Sequence, residues 1–208
     1  MMPFVSLSDE DMVLYAAQME QVKARLDAAF EFLQPPFIYP RVEGGLLQLR
    51  QAMEALMLSS LITNRRAVER VFAKKNHDDV LKLVRKVNPT FWPEPSSQVL
   101  DDHGVIAMDP VTTGFLTEDE YMPTWGRLSE WLHATNPFVA MRSPQEGALF
   151  GLEVGQKLIT LLNHHSVRLL ERDELLVCMM NEKTSGRVHV FSFEQATIGG
   201  MQVPEGGH

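Results

Sequence analysis

The sequence predicts a mainly α fold, a helical bundle with a C-terminal β-hairpin, on three observations. Apolar residues recur every three or four positions over long stretches. Two helix-start signatures, Thr117-Glu-Asp-Glu120 and Ser143-Pro-Gln-Glu146, stand before two such stretches. Two short runs of strand-forming residues near the C-terminus flank the turn-like segment Asn181-Glu-Lys-Thr-Ser-Gly186. The chain has 208 residues, 45% hydrophobic and 22% charged, which suits one globular domain with a full core.

The first helix is expected from about Ser8 to Leu33, with Met12, Tyr15, Met19, Val22, Leu26, Phe30 and Leu33 on its buried face. Pro35-Pro36, Pro40 and Gly44-Gly45 predict a loop. A second long helix follows from about Leu46 to Ala73. Its small and polar positions Ser59, Ser60, Thr63 and Asn64 interrupt the apolar face and mark either a close helix crossing or a site. A shorter helix is expected from Asp78 to Val87, capped by Asn76 and closed by Asn88-Pro89. Asn88 to Phe115 reads as a long irregular loop pinned by Phe91 and Trp92. The Thr117 signature opens a helix to about Ala134, with Pro123 distorting its first turns, and the Ser143 signature opens the last helix, Pro144 to about Leu170. Glu174–Met180 and Arg187–Gln195 form the hairpin. Residues 1–172 are thus the bundle, 173–195 a hairpin of the same domain, and 196–208 a flexible tail.

Composition bounds the chemistry. The single cysteine, Cys178, lies in a strand-like run and reads as a buried structural thiol; it excludes an intramolecular disulfide and a multi-thiolate zinc site. No apolar run is long enough to cross a bilayer, and the N-terminus lacks a basic segment followed by an apolar one, so a cytoplasmic protein is expected. His164 and His165, adjacent on the expected last helix, would point about 100° apart and not grip one metal together. His77-Asp-Asp79 and Asp101-Asp-His103 have ligand types without a recognised spacing, so no metal or cofactor is expected. The net charge is −8, but the window from Arg65 to Lys86 holds eight basic and three acidic residues, +5 against −13 for the remainder. Arg65, Arg66, Arg70, Lys74 and Lys75 are therefore candidates to follow an RNA backbone, with Trp92 for stacking and Arg50, Glu54 and Asn64 lining the same cleft. The competing reading of the window is a solvated helix face.

The residues closest to a reaction are Arg127 and His133 in GRLSEWLHATNPF. A histidine can move a proton to or from a ribose hydroxyl, and an arginine can stabilise charge growing on phosphate. On a straight helix their six-residue offset is roughly 240° of turn and about 9 Å of rise. Convergence therefore needs a bent helix end, a reaching arginine or a second subunit. The competing readings are a histidine capping the helix carbonyls and an arginine paired with Glu130.

An all-helical chain with Arg, five residues and His before its last helix resembles the HEPN superfamily, which includes RNases of toxin–antitoxin and phage-defence systems. The resemblance spans about residues 46 to 170 at the level of architecture. It implies a homodimer in which two motifs, Arg127 and His133 from each copy, face one cleft and cut RNA without metal. Leu128 stands where the family often has Asn, Asp or His. LHATNPF, NPTFWPEP and LLNHHSVRLL also resemble stretches of uncharacterised bacterial proteins, and no function comes with that likeness. The alternative function is a non-catalytic helical module that self-associates or binds a protein partner.

Overall fold

The computed structural model describes residues 7–65, 77–100, 106–133, 138, 142–169 and 174–194. The elements follow in the order α1 (Asp9–Phe32), α2 (Tyr39–Thr63), α3 (His77–Val87), β1 (Glu94–Leu100), β2 (Ile106–Pro110), α4 (Glu118–Leu132), α5 (Pro144–Leu162), β3 (His164–Arg168), β4 (Glu174–Met179) and β5 (His189–Glu194). The protein is mainly helical, with one antiparallel sheet of order β2-β1-β3-β4-β5.

Helix α1 starts where Ser8 accepts the Asp11 N–H at 3.1 Å, and Asp9, Glu10 and Asp11 place negative charge at its positive end. Tyr15, Met19, Val22, Leu26 and Leu33 are buried, as the spacing predicts. Its largest partner is α2, which also contacts α3, α4 and α5 and so lies at the centre of the helical layer.

The expected loop through Gly45 is corrected: α2 already begins at Tyr39. Ile38 is its extended N-cap and Pro40 sits in the first turn, where a proline's missing N–H has no helical partner to lose. Gly45 belongs inside the helix because a Cβ there would lie 2.7 Å from Leu33 Cγ. The glycines permit a close α1–α2 approach and do not break the helix. At the other end α2 stops at Thr63, short of the expected Ala73. The hydroxyls of Ser59, Ser60 and Thr63 and the Asn64 amide all donate back to carbonyls of the helix itself, a local bonding pattern that competes with helix continuation. Residues 66–73 of the expected helix lie outside the described residues, as does the expected cap Asn76.

The expected irregular loop from 88 to 115 contains β1 and β2, which pair from Ser96↔Pro110 to Leu100↔Ile106. Phe91 is fully buried at its start and Trp92 packs against the core. The expected last helix is shorter than the apolar pattern suggested: α5 ends at Leu162, and His164–Arg168 is a strand. The apolar residues beyond Leu162 are buried by sheet pairing instead. β4 and β5 do pair with each other, but β4 also pairs with β3, so the two strands are part of a larger sheet and not an appended hairpin. Helices α1 and α5 contact this sheet.

Candidate functional site

Helix α4 carries Arg127 and His133, and its start is firmly fixed. The Thr117 hydroxyl accepts the Glu120 N–H at 3.3 Å, and the Glu120 carboxylate accepts the Thr117 N–H at 3.0 Å. The same carboxylate binds Lys157 of α5 at 2.9 Å. The Thr117 N–H, followed by Lys157, holds the Glu120 carboxyl down to about 2. The helix continues through Pro123. Tyr121 and Leu128 are fully buried against its neighbours, and the Tyr121 hydroxyl donates to the Met53 carbonyl at 3.1 Å.

Arg127 is exposed, with its guanidinium stacked 3.9 Å above the Phe150 ring of α5. The expected partner Glu130 is engaged elsewhere, by Arg142 at 3.2 Å. Among the described residues no carboxylate pairs with Arg127. His133 is the C-cap of α4, exposed, with an extended backbone at φ −86° and ψ 147°. Helix α4 runs from Glu118 to Leu132, so Arg127 lies inside the helix and His133 follows it as the extended C-cap, with no hydrogen bond between the two side chains among the described residues. Their Asn136-Pro137 flank lies outside the described residues.

The basic window is only partly described. Arg65 forms a 3.0 Å ion pair with Asp11. Arg66, Arg70, Lys74 and Lys75 lie outside the described residues. Arg85 binds Glu118 at 2.5 Å, linking α3 to α4. Trp92 does not offer a free stacking face. Its indole donates to the Leu116 carbonyl at 3.3 Å, and its ring is packed against the core in T-shaped contacts with Phe91 and Tyr121. Arg50 and Glu54 do come together, at 3.2 Å, with Arg50 over Trp125 and the Trp125 indole donating to Glu54 at 3.3 Å. Asn64 is buried on α2, its amide bound to Ser60 and Thr63 and its Oδ1 without a partner among the described residues. Asp101, Asp102 and His103 lie outside the described residues. Among those described, no three His, Cys, Asp or Glu residues are grouped to hold a metal ion.

Two polar pairs were not legible in the sequence, because both depend on β3 being a strand. His165 is fully buried. Its Nδ1 lies 2.8 Å from the Leu162 carbonyl and its Nε2 2.8 Å from the Tyr15 hydroxyl. A carbonyl only accepts, so Nδ1 carries the proton, Nε2 accepts, and Tyr15 donates. Burial brings the imidazole down to about 4 and pushes the Tyr15 hydroxyl well above its ordinary value. Cys178, paired across from His165, is likewise pushed up to about 12 by burial, an unreactive thiol. His164 forms the second pair: its Nδ1 is 2.6 Å from the Ser96 hydroxyl, and both residues line an open groove beside β1 and β3.

With this geometry in place, comparison with known proteins adds no relative. No family model, no curated protein and no solved structure matches the chain. Among the described residues, no helix is long and apolar enough to cross a membrane.

Proposed function

We propose that the chain is a HEPN-like protein, a metal-independent RNase of a toxin–antitoxin or phage-defence system, acting as a homodimer. One observation carries the reading: Arg127 is exposed, held in place by Phe150, and released from its expected partner Glu130 by Arg142. A guanidinium oriented by an aromatic ring keeps its N–H edge for a phosphate, without a carboxylate competing for it. His133, exposed at the end of the same helix, supplies the proton-transfer group. The six-residue offset of Arg127 from His133 along α4 favours a site completed by a second copy. Arg127 of each protomer then serves a cleft shared with His133 of its partner. The RNA strand enters that cleft from the basic window led by Arg65. No metal or cofactor takes part.

The experiment is RNA degradation by wild type, Arg127→Ala, Arg127→Lys and His133→Ala in excess chelator. Each alanine variant is expected to lose activity by about 100-fold or more, and lysine to rescue Arg127 only partly, because it lacks the planar fork. Equal activity in wild type and both alanine variants overturns the site.

A second reading, the non-catalytic module, rests on a different surface. Gln18 donates to the Ala55 carbonyl at 3.1 Å, which fixes the antiparallel register of α1 and α2. One turn further along each helix stand Leu14 and Leu58, both exposed. If RNA stays intact and Leu14→Asp with Leu58→Asp lowers the solution mass, self-association through this face becomes the better account.

A further inference from the structure

The groove beside β1 and β3 holds chemistry that the RNase reading does not use. It is open to solvent and spans about 1340 Å³ with the solvent at its mouth included. Ser96, Asn163 and His164 line it, with Val111, Ile159 and Met179 as an apolar wall. The β1–β3 register pairs Glu94 with Ser166 and Pro95 with His165, and its continuation sets Ser96 across from His164. Cross-strand neighbours point to one face of a sheet. The Ser96 Oγ to His164 Nδ1 distance is 2.6 Å.

We propose that Ser96 and His164 are a nucleophile and general base for hydrolysis of a carboxylic ester with an uncharged acyl group. Three features favour chemistry over a plain structural bond. First, the distance is within the reach that a base needs to take the hydroxyl proton. Second, His164 is 7% exposed and burial lowers its proton affinity, so the imidazole is neutral and able to accept. Third, the pair borders the groove and is not sealed in the core as Tyr15–His165 is.

The groove also argues for the substrate class. Glu182 is its carboxylate, and both oxygens are taken by the Thr184 and Ser185 backbone N–H groups of the β4–β5 turn. Among the described residues Lys183 is the groove's one cationic lining residue, and the other lining side chains are apolar or carry neutral amides, hydroxyls and an imidazole, which suits an uncharged acyl group. The Asn163 carboxamide accepts from Asn181 at 3.5 Å through its oxygen, which leaves its N–H groups as donors for a developing oxyanion.

The step balances on these residues and water. With His164 carrying its own proton on Nε2, Ser96 Oγ attacks the carbonyl carbon and its proton passes to Nδ1. The C–O bond to the alcohol breaks and the alcohol leaves with that proton. Water then attacks the acyl-serine ester and gives a proton to Nδ1, and Ser96 Oγ departs with it, releasing the acid.

A fluorophosphonate probe on the intact protein tests the pair, with the adduct mapped by mass spectrometry and p-nitrophenyl butyrate hydrolysis followed in parallel. Wild type is expected to carry one adduct, on Ser96, and Ser96→Ala none. His164→Asn keeps a hydrogen-bonding group near the Nδ1 position but cannot take the proton, so labelling and hydrolysis are expected to slow by about 100-fold or more. This site does not rest on the RNase reading, so labelling and RNA cleavage are scored as separate results. Absence of a Ser96 adduct on folded wild type overturns the proposal, whatever the variants do. Equal labelling of wild type and folded His164→Asn overturns it as well.

Discussion

The Tyr15–His165 bond shows what one buried pair contributes to the structure. Tyr15→Phe leaves Nε2 of a buried imidazole without a donor, so a loss of about 1–3 kcal/mol is expected in urea unfolding. The pH dependence has a definite sign. His165 is near 4 when folded and takes a proton near its ordinary 6.5 when unfolded. Its contribution is therefore complete above about pH 6.5 and is lost as the pH falls through about 4. His164 shifts in the same direction. The carboxyls of Glu120 and Glu182, held near 2, lose their contributions only below about 4.5, which leaves the histidine window distinct. Urea midpoints between pH 7 and 4 should fall for wild type and fall less for His165→Gln.

At the scale of the element, the capping chemistry was the most legible part of the sequence. Both expected capping boxes form, because their hydrogen bonds lie within four consecutive residues. Ser143→Ala should cost about 1 kcal/mol by thermal unfolding, since the Glu146 N–H loses its acceptor. Gly45 could not be read in the same way. Its spacing said loop, whereas its reason is Leu33, the C-cap residue of α1. Gly45→Ala forces a methyl group onto Leu33 and is expected to destabilise by about 1–3 kcal/mol. The end of α5 was missed for a related reason. The apolar pattern of LLNHHSVRLL fits helix and buried strand alike, and pairing with β1 and β4 decides between them. Without β3, neither histidine pair can be found, because Ser96 and Tyr15 are remote in sequence. Leu128 is instructive about the motif. It is fully buried, so the position after Arg127 serves the core here and a polar residue has no place to point.

For the whole molecule, the mainly helical class and the order of the two capped helices, α4 before α5, were legible in the sequence. Whether Arg127 and His133 meet was not legible, because a six-residue offset at a helix end leaves both a single-chain and a two-chain arrangement open. On the proposed reading the site is shared between two copies, because Arg127 lies inside α4 and His133 at its extended C-cap. If the proposed homodimer is the active form, specific activity is expected to fall on dilution, with solution mass falling in step. The most direct test of the central claim is cleavage of end-labelled RNA by the wild-type dimer in excess chelator, with the product termini identified. A 2′-hydroxyl attack assisted by His133 and Arg127 predicts cleavage that persists in chelator and leaves 2′,3′-cyclic phosphate ends. Intact RNA, or cleavage that disappears with the metal, would contradict it.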